Sequence, residues 1–403
     1  MGYVAVKGGG RAIEESLRLL EFERVAASSA WGTDEIEGTF PELIDQVMGE
    51  ASLYAPRLAA LALKQAQGSP DEAVFLLRAF RSTLERPYVS RPIDTGDLCV
   101  TRRVSAAFKD VPGGQILGAT RDYSHRLIAF DLESEDEDEL ARKRTVLTRH
   151  FEEASRTAAA RDDVAGATPA GRLPRVLDYL RSEGLIAPVA ADDTEPVDAT
   201  MVPLSFPAPR SVRLQTLARG MTQAVEALGY AAIRGFGPAH PTVGELRCGR
   251  AAVAVDHPVE PGDAEDAYYV GTVPFTEVES VFMAEGDVGA AEDAEGLAPG
   301  QAVGAGLSLS IGYGLVLGRA ETKAIAMSVL DHCLDADEVR YPTEDEEFVL
   351  YHVDGVEASG FISHLKLPHY VTFQSKLSSV RGTRAGAEED ARDEKEAFDA
   401  AAL

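Results

Sequence analysis

An acidic stretch in the middle of the chain limits which residues can share a hydrophobic core. Residues 131–139 carry seven acidic side chains in nine positions, and the sequence stays rich in Ala, Asp, Glu and Pro as far as Pro203. A segment of this composition buries too little apolar surface to fold by itself. We therefore predict an acidic linker or solvated insertion at 131–203, interrupted by one helix at 173–182. The chain of 403 residues is long enough to build a domain on each side.

The residues before the acidic stretch predict a mainly helical N-terminal domain at 1–130. Ser69 is placed to cap a helix, Pro70 fits its first turn, and Glu72 completes a capping box. This combination predicts a helix that continues to Leu84. Further helical patterns occupy 12–27, 41–51 and 56–67.

The residues after the acidic stretch mix helical and strand patterns. Helices are predicted at 212–228 and 319–334, and β-rich runs lie between them. We therefore assign an α+β fold, with an α+β domain at 204–380. Residues 381–403 are rich in Ala, Glu and Asp and lack an apolar face, which predicts an acidic C-terminal tail. The strand-like runs are 251–255, 268–273 and 307–317.

The charge of the chain excludes several classes of partner. Asp and Glu number 66 against 39 Lys and Arg, which gives a net charge of -27. Such a surface repels nucleic acid and anionic membranes, so neither is an expected partner. Only 8 of the 39 cations are lysines, which together with the acidity favours a halophilic, archaeal protein over an ordinary acidic one.

Compartment and redox chemistry follow from what the sequence lacks. No run reaches the ~18 uninterrupted apolar residues of a membrane helix, and residues 1–10 have no secretory signal pattern. We therefore expect a cytoplasmic protein. Cys99, Cys248 and Cys333 are far apart in sequence and form no C-x-x-C pair. Because iron–sulfur clusters and zinc fingers use several clustered thiolates, we expect neither in this chain.

Two histidines near the C-terminus are candidate metal ligands. His364 and His369 lie five residues apart, with Pro368 directly before the second. Two residues at this spacing cannot lie on one face of a regular helix, but a turn can bring both imidazoles to one ion. The alternative is a pair of partly buried histidines that hydrogen-bond a loop. Asp354 and Glu357, just upstream, are candidate further ligands or acid/base groups.

Two glycines and a lysine near the start of the chain form a candidate anion site. Residues 3–7 read as a strand that runs into Gly8 and Gly9 before a helical pattern, so backbone N–H groups could approach a phosphate beside Lys7. No complete phosphate-binding pattern is present, and a simple tight turn is the alternative.

A second cationic stretch follows the predicted N-terminal helices. Its basic residues suggest an anionic ligand or an acidic partner, although pairing with neighbouring carboxylates explains the arginines equally well. The candidate substrate-binding residues of this stretch are Arg102, Arg103, Lys109, Gly113, Gly114 and Arg126.

Ordered runs along the chain carry a family resemblance. They include YVAVKGG at 3–9, KDVPGGQILG at 109–118, DYSHRL at 122–127, RGFGPAHPTVGELRCG at 234–249 and DEEFVLYHVDGVEASGFISHLKLPHYVTFQ at 345–374. In these runs the chain resembles the PhnI family, subunits of the carbon–phosphorus lyase that degrades organic phosphonates. The acidic middle and the acidic tail depart from the family pattern.

The resemblance implies a transferase that displaces the purine of ATP or GTP by a phosphonate. The product would be α-D-ribose 1-phosphonate 5-triphosphate, and the chain alone would act as a purine nucleosidase. The implied partners are the core subunits PhnG, PhnH and PhnJ, with PhnL acting in the same pathway. The alternative is a non-catalytic scaffold subunit of the lyase core.

The resemblance also assigns roles to residues. It implies a divalent metal, zinc by ligand type, on His364 and His369 near the boundary with PhnJ, and magnesium with the nucleoside triphosphate. Breaking an N-ribosidic bond builds positive charge on the ribose, which a carboxylate stabilises while an acid assists the leaving purine. Asp354 and Glu357 are the candidates for these two catalytic roles.

Overall fold

The computed structural model divides the chain into two compact units. The larger unit spans Thr33–Val353, and the smaller one combines Met1–Gly32 with Asp354–Leu403. The residues that the structure describes are 9–26, 30–165, 172–186, 195–236, 241–259, 267–285 and 307–401.

One antiparallel sheet organises the larger unit. Its four strands are adjacent in the order β1 Cys99–Val104, β2 Thr242–Val255, β3 Tyr268–Glu285 and β4 Leu307–Leu317. Helices surround this sheet, which confirms the predicted α+β fold, and each predicted β-rich run lies within a strand. β1 belongs to the predicted N-terminal domain but pairs with β2, so that Arg103 lies opposite Arg247.

Helices make up most of the remaining described residues. In chain order they are α1 Gly9–Arg24, α2 Thr33–Thr39, α3 Pro41–Ala51, α4 Pro56–Gln65, α5 Pro70–Arg81, α6 Glu137–Ala165, α7 Asp178–Ser182, α8 Arg210–Arg219, α9 Thr222–Ala231, α10 Glu321–Cys333, α11 Glu346–His352, α12 Gly355–His364 and α13 Tyr370–Ala401.

Local sequence signals account for several helix boundaries. α5 begins as predicted, because the Ser69 side chain accepts a hydrogen bond from the Glu72 amide at 3.5 Å. The helix predicted at 212–228 is instead broken into α8 and α9. A Cβ at Gly220, between them, would lie 2.9 Å from Val353 Cβ, so only glycine allows this close packing.

Helix α10 packs against one face of the sheet at short distance. A Cβ at Gly312 would collide with the carbonyl oxygen of Ser328, and one at Gly314 with that of Ala324. These two strand glycines therefore let the helix backbone approach β4 closely. The resulting core contains buried residues from α10 and from strands β2, β3 and β4: Leu246, Cys248, Val278, Val316, Met327 and Leu330.

The opposite face of the sheet is covered by residues 172–186, which we call the cover segment. Val176, Leu177, Leu180 and Ile186 of this segment form a buried apolar cluster. These four residues belong to the core although they fall inside the predicted acidic linker. Strand pairing joins β1, from the predicted segment 1–130, to β2, from the predicted segment 204–380, within the larger unit. The domain boundaries at 1–130, 131–203, 204–380 and 381–403 stay a prediction.

Parts of the acidic segments are helical. The acidic middle contains the 29-residue helix α6, and the acidic tail lies within the 32-residue helix α13. Helices α1 and α12 of the smaller unit contain no buried residue. Within the described ranges, no helix is both long and apolar enough to cross a membrane.

Candidate functional site

The two candidate metal ligands lie at the ends of consecutive helices. His364 is the last residue of α12, and His369 directly precedes α13. The intervening turn is closed by the Leu367 amide, which donates to the His364 carbonyl at 3.0 Å. The imidazole centres are 5.4 Å apart. Two histidines that share one tetrahedral ion at metal–nitrogen distances of about 2.1 Å have ring centres about 5 Å apart. The turn therefore places the two ring centres at a spacing compatible with a shared ion, and the metal site stays a prediction.

Each imidazole is oriented by a backbone carbonyl. The Nδ1 atom of His369 hydrogen-bonds the Leu367 carbonyl at 2.6 Å, and that of His364 hydrogen-bonds the Phe361 carbonyl. A carbonyl only accepts, so these contacts favour the tautomer of the neutral imidazole that has its proton on Nδ1 and its lone pair on Nε2. This is the arrangement in which histidine binds a metal through Nε2.

A complete set of ligands is not assembled by the described residues. Among them, no group of three or more His, Cys, Asp or Glu side chains is placed to hold one ion. Because zinc takes about four ligands, an ion on the histidine pair would need water, substrate or a partner chain to complete its coordination. The pair fits a shared site better than a closed structural one.

The two candidate catalytic carboxylates lie at the start of α12. Asp354 caps this helix, and its Oδ1 accepts hydrogen bonds from the amides of Val356 and Glu357 at 3.0 and 3.1 Å. The Glu357 side chain is exposed. Seven residues separate Glu357 from His364, so both lie on the same side of α12, about two turns apart. The assigned catalytic roles stay predictions.

Exposed apolar side chains lie near the histidine pair in the sequence, and one of them, Phe361, contacts the His364 ring. Phe361 and Ile362 are 67% and 65% exposed, and Leu365 is 60% exposed. Exposed apolar surface of this kind marks an interaction site.

In the larger unit, the Arg103 side chain makes structural contacts inside the protein and is not accessible to a ligand. Its side chain is fully buried, and the guanidinium pairs with Glu245 at 2.6 Å while also donating to the carbonyls of Pro112, Gly114 and Pro174. One arginine therefore holds the 111–115 turn and the cover segment against the sheet.

The neighbouring Arg102 points to the other side of β1 and holds the next stretch of chain. It pairs with Glu321 and Asp122, both at 2.7 Å, and donates to the Leu117 carbonyl. Burial alone would lower the pKa of Arg102, but the hydrogen bond that Arg102 donates to Glu321 raises it, and the net pKa is raised. Both arginines thus shape the loops that carry the other candidate cations.

Those loops place the remaining candidates at the surface. Lys109, Gly113, Gly114 and Arg126 are all exposed. The two glycines have φ of +81° and +78°, the left-handed conformation that the tight turn requires. Lys7 and Gly8 lie outside the described residues, and Gly9 is the first residue of α1. The histidines and carboxylates belong to the smaller unit, and the arginines, Lys109, Gly113 and Gly114 belong to the larger one.

The cysteines lie in separate environments. Cys99 is exposed, Cys248 is buried and Cys333 is half-buried. Burial raises the pKa of both Cys248 and Cys333 to about 11, so these two thiols stay protonated at neutral pH. The expectation that no iron–sulfur cluster binds here stays a prediction.

The sequence analysis did not identify the buried carboxylates that pair with Arg103, Arg175 and Arg247. Glu245, Glu277 and Glu279 are each at most 5% exposed and lie on neighbouring strands β2 and β3. The available signal was the two-residue spacing of Glu245 and Arg247 in β2 and of Glu277 and Glu279 in β3, which places each of these two pairs on one face of its strand.

Comparison with known proteins identifies the family. A sequence model of the family described as "Bacterial phosphonate metabolism protein (PhnI)" matches residues 2–387. The chain belongs to the PhnI family. HtxH of Stutzerimonas stutzeri is 43% identical over 95% of this chain and 96% of its own length.

Two further relatives carry a functional name. The "Alpha-D-ribose 1-methylphosphonate 5-triphosphate synthase subunit PhnI" of Rhizobium meliloti (strain 1021) is 39% identical over 95% of both chains. Its namesake in Escherichia coli (strain K12) is 40% identical over 94% of this chain and 97% of its own length.

Proposed function

We propose that this chain is the subunit of a carbon–phosphorus lyase complex that makes α-D-ribose 1-phosphonate 5-triphosphate. It would displace the purine of ATP or GTP by an alkylphosphonate. The observation that carries this proposal is the full-length similarity to two relatives named as the synthase subunit. The oriented histidine pair supports a chemical rather than a purely architectural role.

The histidine pair is the proposed metal site. His364 and His369 would hold a divalent ion, zinc by ligand type, through their Nε2 atoms. When bound, the ion would supply positive charge that stabilises oxygen anions next to it. The two backbone carbonyls that bind Nδ1 would keep both rings in the required tautomer.

The carboxylates of α12 are proposed to act on the ribose. Loss of the purine leaves positive charge at C1, and Glu357 is exposed on the same side of α12 as His364, where it could stabilise that charge or protonate the base. Asp354 fixes the start of the helix that presents Glu357. We keep Asp354 as a second catalytic candidate because the substrate position decides which carboxylate reaches C1.

The triphosphate needs cations and backbone N–H groups in an otherwise acidic chain. Lys109 and Arg126 are exposed, as are Gly113 and Gly114 in the turn between them. We propose that these residues, with Lys7, Gly8 and Gly9, bind the magnesium-bound triphosphate. Arg102 and Arg103 would contribute by holding the loops in shape.

The proposed partners follow from the family. PhnG, PhnH and PhnJ would complete the core complex, with PhnL acting in the same pathway, in the cytoplasm. The chain alone would release purine to water, since an oxocarbenium-like centre accepts any nucleophile close to C1. Transfer to a phosphonate would require the closed site of the complex.

A direct assay tests this function. The folded chain, with magnesium and zinc in high salt, is expected to release adenine from ATP, and the complex with methylphosphonate is expected to form the ribose phosphonate. Glu357→Gln should slow adenine release roughly a hundredfold, as expected for loss of an acid/base group. Glu347→Gln, an exposed carboxylate on α11, is the matched control and should have no effect.

The competing role is that of a scaffold, which the exposed apolar side chains around the histidine pair favour. It predicts adenine release by the complete complex but none by the folded chain alone. That result would overturn the proposed nucleosidase activity while leaving family membership unaffected.

A further inference from the structure

A short loop of the larger unit has apolar side chains on its inner side and polar groups on its outer side. We call residues 108–115 the glycine loop. Phe108 and Val111 pack against the buried apolar cluster of the cover segment, whereas Lys109, Gly113 and Gly114 are exposed. The glycine loop therefore presents residues proposed to bind the triphosphate from a base that is part of the core.

The cover segment supports the glycine end of this loop at close range. A Cβ at Gly113 would lie 2.8 Å from Leu173 Cδ2, so the Leu173 side chain packs directly against the glycine. Arg103 donates to the carbonyl of Gly114 at 3.2 Å and to that of Pro174 at 2.6 Å. One guanidinium thus ties this end of the loop to the cover segment.

Tyr179 of the cover segment supports the lysine end of the loop. Its ring meets that of Phe108 edge to face, with ring centres 5.3 Å apart and an angle of 68° between the ring planes. The Phe108 amide also donates to the Ser105 hydroxyl at 3.2 Å. Because Phe108 directly precedes Lys109, these contacts fix the backbone from which the lysine side chain extends.

The cover segment can act as a support because it is itself fixed to the sheet. The Val176 amide donates to Glu245 Oε2 at 3.2 Å, and Arg175 pairs with Glu277 at 3.1 Å. A loop that is ordered before a ligand arrives loses little further freedom when the ligand binds. The contacts at both ends of the glycine loop therefore favour binding without touching the ligand.

We propose that Tyr179 is a positioning residue for the nucleoside triphosphate. Through the ring of Phe108 it holds Lys109 where the lysine ammonium meets the phosphates. The inference rests on the proposed function, in which the glycine loop binds the magnesium-bound triphosphate. Since Tyr179 acts on binding and not on the reacting bond, its loss weakens affinity and leaves the chemical step unchanged.

Nucleotide binding by the full chain tests the role of the ring. Tyr179→Ala should raise the dissociation constant of magnesium–ATP, measured by calorimetry, about threefold to tenfold, the range expected for loss of one edge-to-face contact. The kcat of adenine release should not change. Tyr179→Phe keeps the ring and should bind ATP as the natural chain does. Equal weakening by both variants would overturn the proposal.

A second tyrosine provides a matched control. Tyr351 is 44% exposed, as is Tyr179, and its ring meets that of Phe206 edge to face with centres 5.3 Å apart. Tyr351→Ala therefore removes an equivalent contact elsewhere in the larger unit. It should leave ATP affinity unchanged, and the same weakening as in Tyr179→Ala would show a general effect on stability and would overturn the proposal.

A double variant tests whether Tyr179 acts through Lys109. If the ring contact works by orienting the lysine, Lys109→Met combined with Tyr179→Ala should bind ATP no more weakly than Lys109→Met alone. Losses that add up would show that Tyr179 works through another contact, and the proposed role would be wrong.

Hydrogen exchange without nucleotide tests the support of the loop independently of any activity. The amide of Phe108 donates to Ser105, and that of Gly114 donates to the Val111 carbonyl at 2.8 Å. Both should exchange faster in Tyr179→Ala than in the natural chain, with the amides of β3 unchanged. Unaltered exchange in the loop would contradict the supporting role of Tyr179.

A failure of the proposed function gives a different result from a failure of this inference. Lys109→Met should weaken ATP binding about tenfold or more, as expected for loss of a charged hydrogen bond. If it does and Tyr179→Ala does not, the triphosphate site stands and the positioning role is wrong. If Lys109→Met binds ATP as tightly as the natural chain, the glycine loop is not the triphosphate site and both proposals fall.

Discussion

At the scale of single residues, the histidine pair differs from ordinary surface histidines in two ways. Each ring has its Nδ1 atom bound to a carbonyl, and the two rings are neighbours. His352 shares the first property, since its Nδ1 hydrogen-bonds the Phe348 carbonyl at 2.6 Å. His352 is therefore a control. It tests whether a hydrogen bond from Nδ1 to a carbonyl is enough for metal binding, or whether a second imidazole is needed as well.

We expect a divalent ion in the assembled complex to depend on both histidines. Replacing His364 and His369 by alanine should abolish occupancy, measured by elemental analysis. Either single variant should weaken binding at least as much as loss of an outer-shell partner does, roughly 10–100-fold. His352→Ala should leave occupancy unchanged. Equal metal content in the double variant and the natural complex would contradict the assignment.

A buried lysine predicts a pH dependence of stability. Lys323 is 3% exposed and donates to the carbonyls of Ala218 and Gly220 at 2.7 and 2.6 Å. Burial lowers its pKa to about 8, with the charge of Glu50 opposing part of the shift. The folded chain thus binds fewer protons than the unfolded chain between about pH 8 and the unfolded pKa of about 10.4.

The sign of this effect is testable with one substitution. Stability should rise with pH through that window, so Lys323 contributes about 2 kcal/mol more at pH 10 than at pH 7. In Lys323→Met this contribution disappears, whereas other titrating groups are unchanged. The unfolding free energy of the natural protein minus that of the variant, measured by denaturant from pH 7 to 10, should therefore increase by that amount. A pH-independent difference would contradict the low pKa.

At the scale of elements, the face of the sheet under the cover segment is held by buried ion pairs. Arg247 pairs with Glu277, and Arg175 of the cover segment reaches Glu277 and Glu279 at 3.1 and 3.4 Å. Burial by itself would raise the pKa of Glu277, but the charges of Arg247 and Arg175 outweigh it, so the net pKa is lowered.

Breaking the buried pair between Arg103 and Glu245 on the same face should be strongly destabilising. Arg103→Met leaves the Glu245 side chain, 2% exposed, without its arginine partner and frees the carbonyls of the 111–115 turn, at a cost of about 3–5 kcal/mol. The double variant with Glu245→Gln should recover part of this loss. Arg126→Met, at an exposed arginine, should cost less than about 0.5 kcal/mol. Urea unfolding of the three variants measures the differences, and equal costs at Arg103 and Arg126 would refute the role of the network.

Elements with strong local signals could be predicted from the sequence, and those fixed by distant contacts could not. α5 has a cap, a first-turn proline and an apolar face within a few residues, so its start was predictable. The cover segment has no such signal, because its burial depends on Glu245 and Glu277, which are far away in sequence. The pairing of the histidines was predictable from spacing, but the carbonyls that orient them depend on where α12 ends.

At the scale of the whole molecule, charge is divided unevenly between interior and surface. Buried carboxylates such as Glu245 and Glu277 are paired with arginines, whose planar guanidinium binds two or more acceptors at once. Arginines that pair with buried carboxylates of the larger unit cannot also neutralise carboxylates at its surface. Exposed acidic runs such as 131–139, which has seven acidic residues and no basic one, therefore carry part of the net charge of -27.

This distribution predicts that stability depends on salt. Mutual repulsion of surface carboxylates acts over about 10 Å at 0.1 M salt but only about 3 Å at 1 M, so screening should raise the melting temperature steeply at first and then level off. Potassium chloride and potassium sulfate at equal ionic strength should raise the melting temperature equally at first, since screening depends on ionic strength and not on the identity of the ion. A further rise in sulfate alone would reflect strengthened apolar burial.

Replacing the carboxylates of 131–139 by their amides should reduce the early rise of the melting temperature with salt. A melting temperature that stays flat or falls as potassium chloride increases would show that the acidity is not an adaptation to salt.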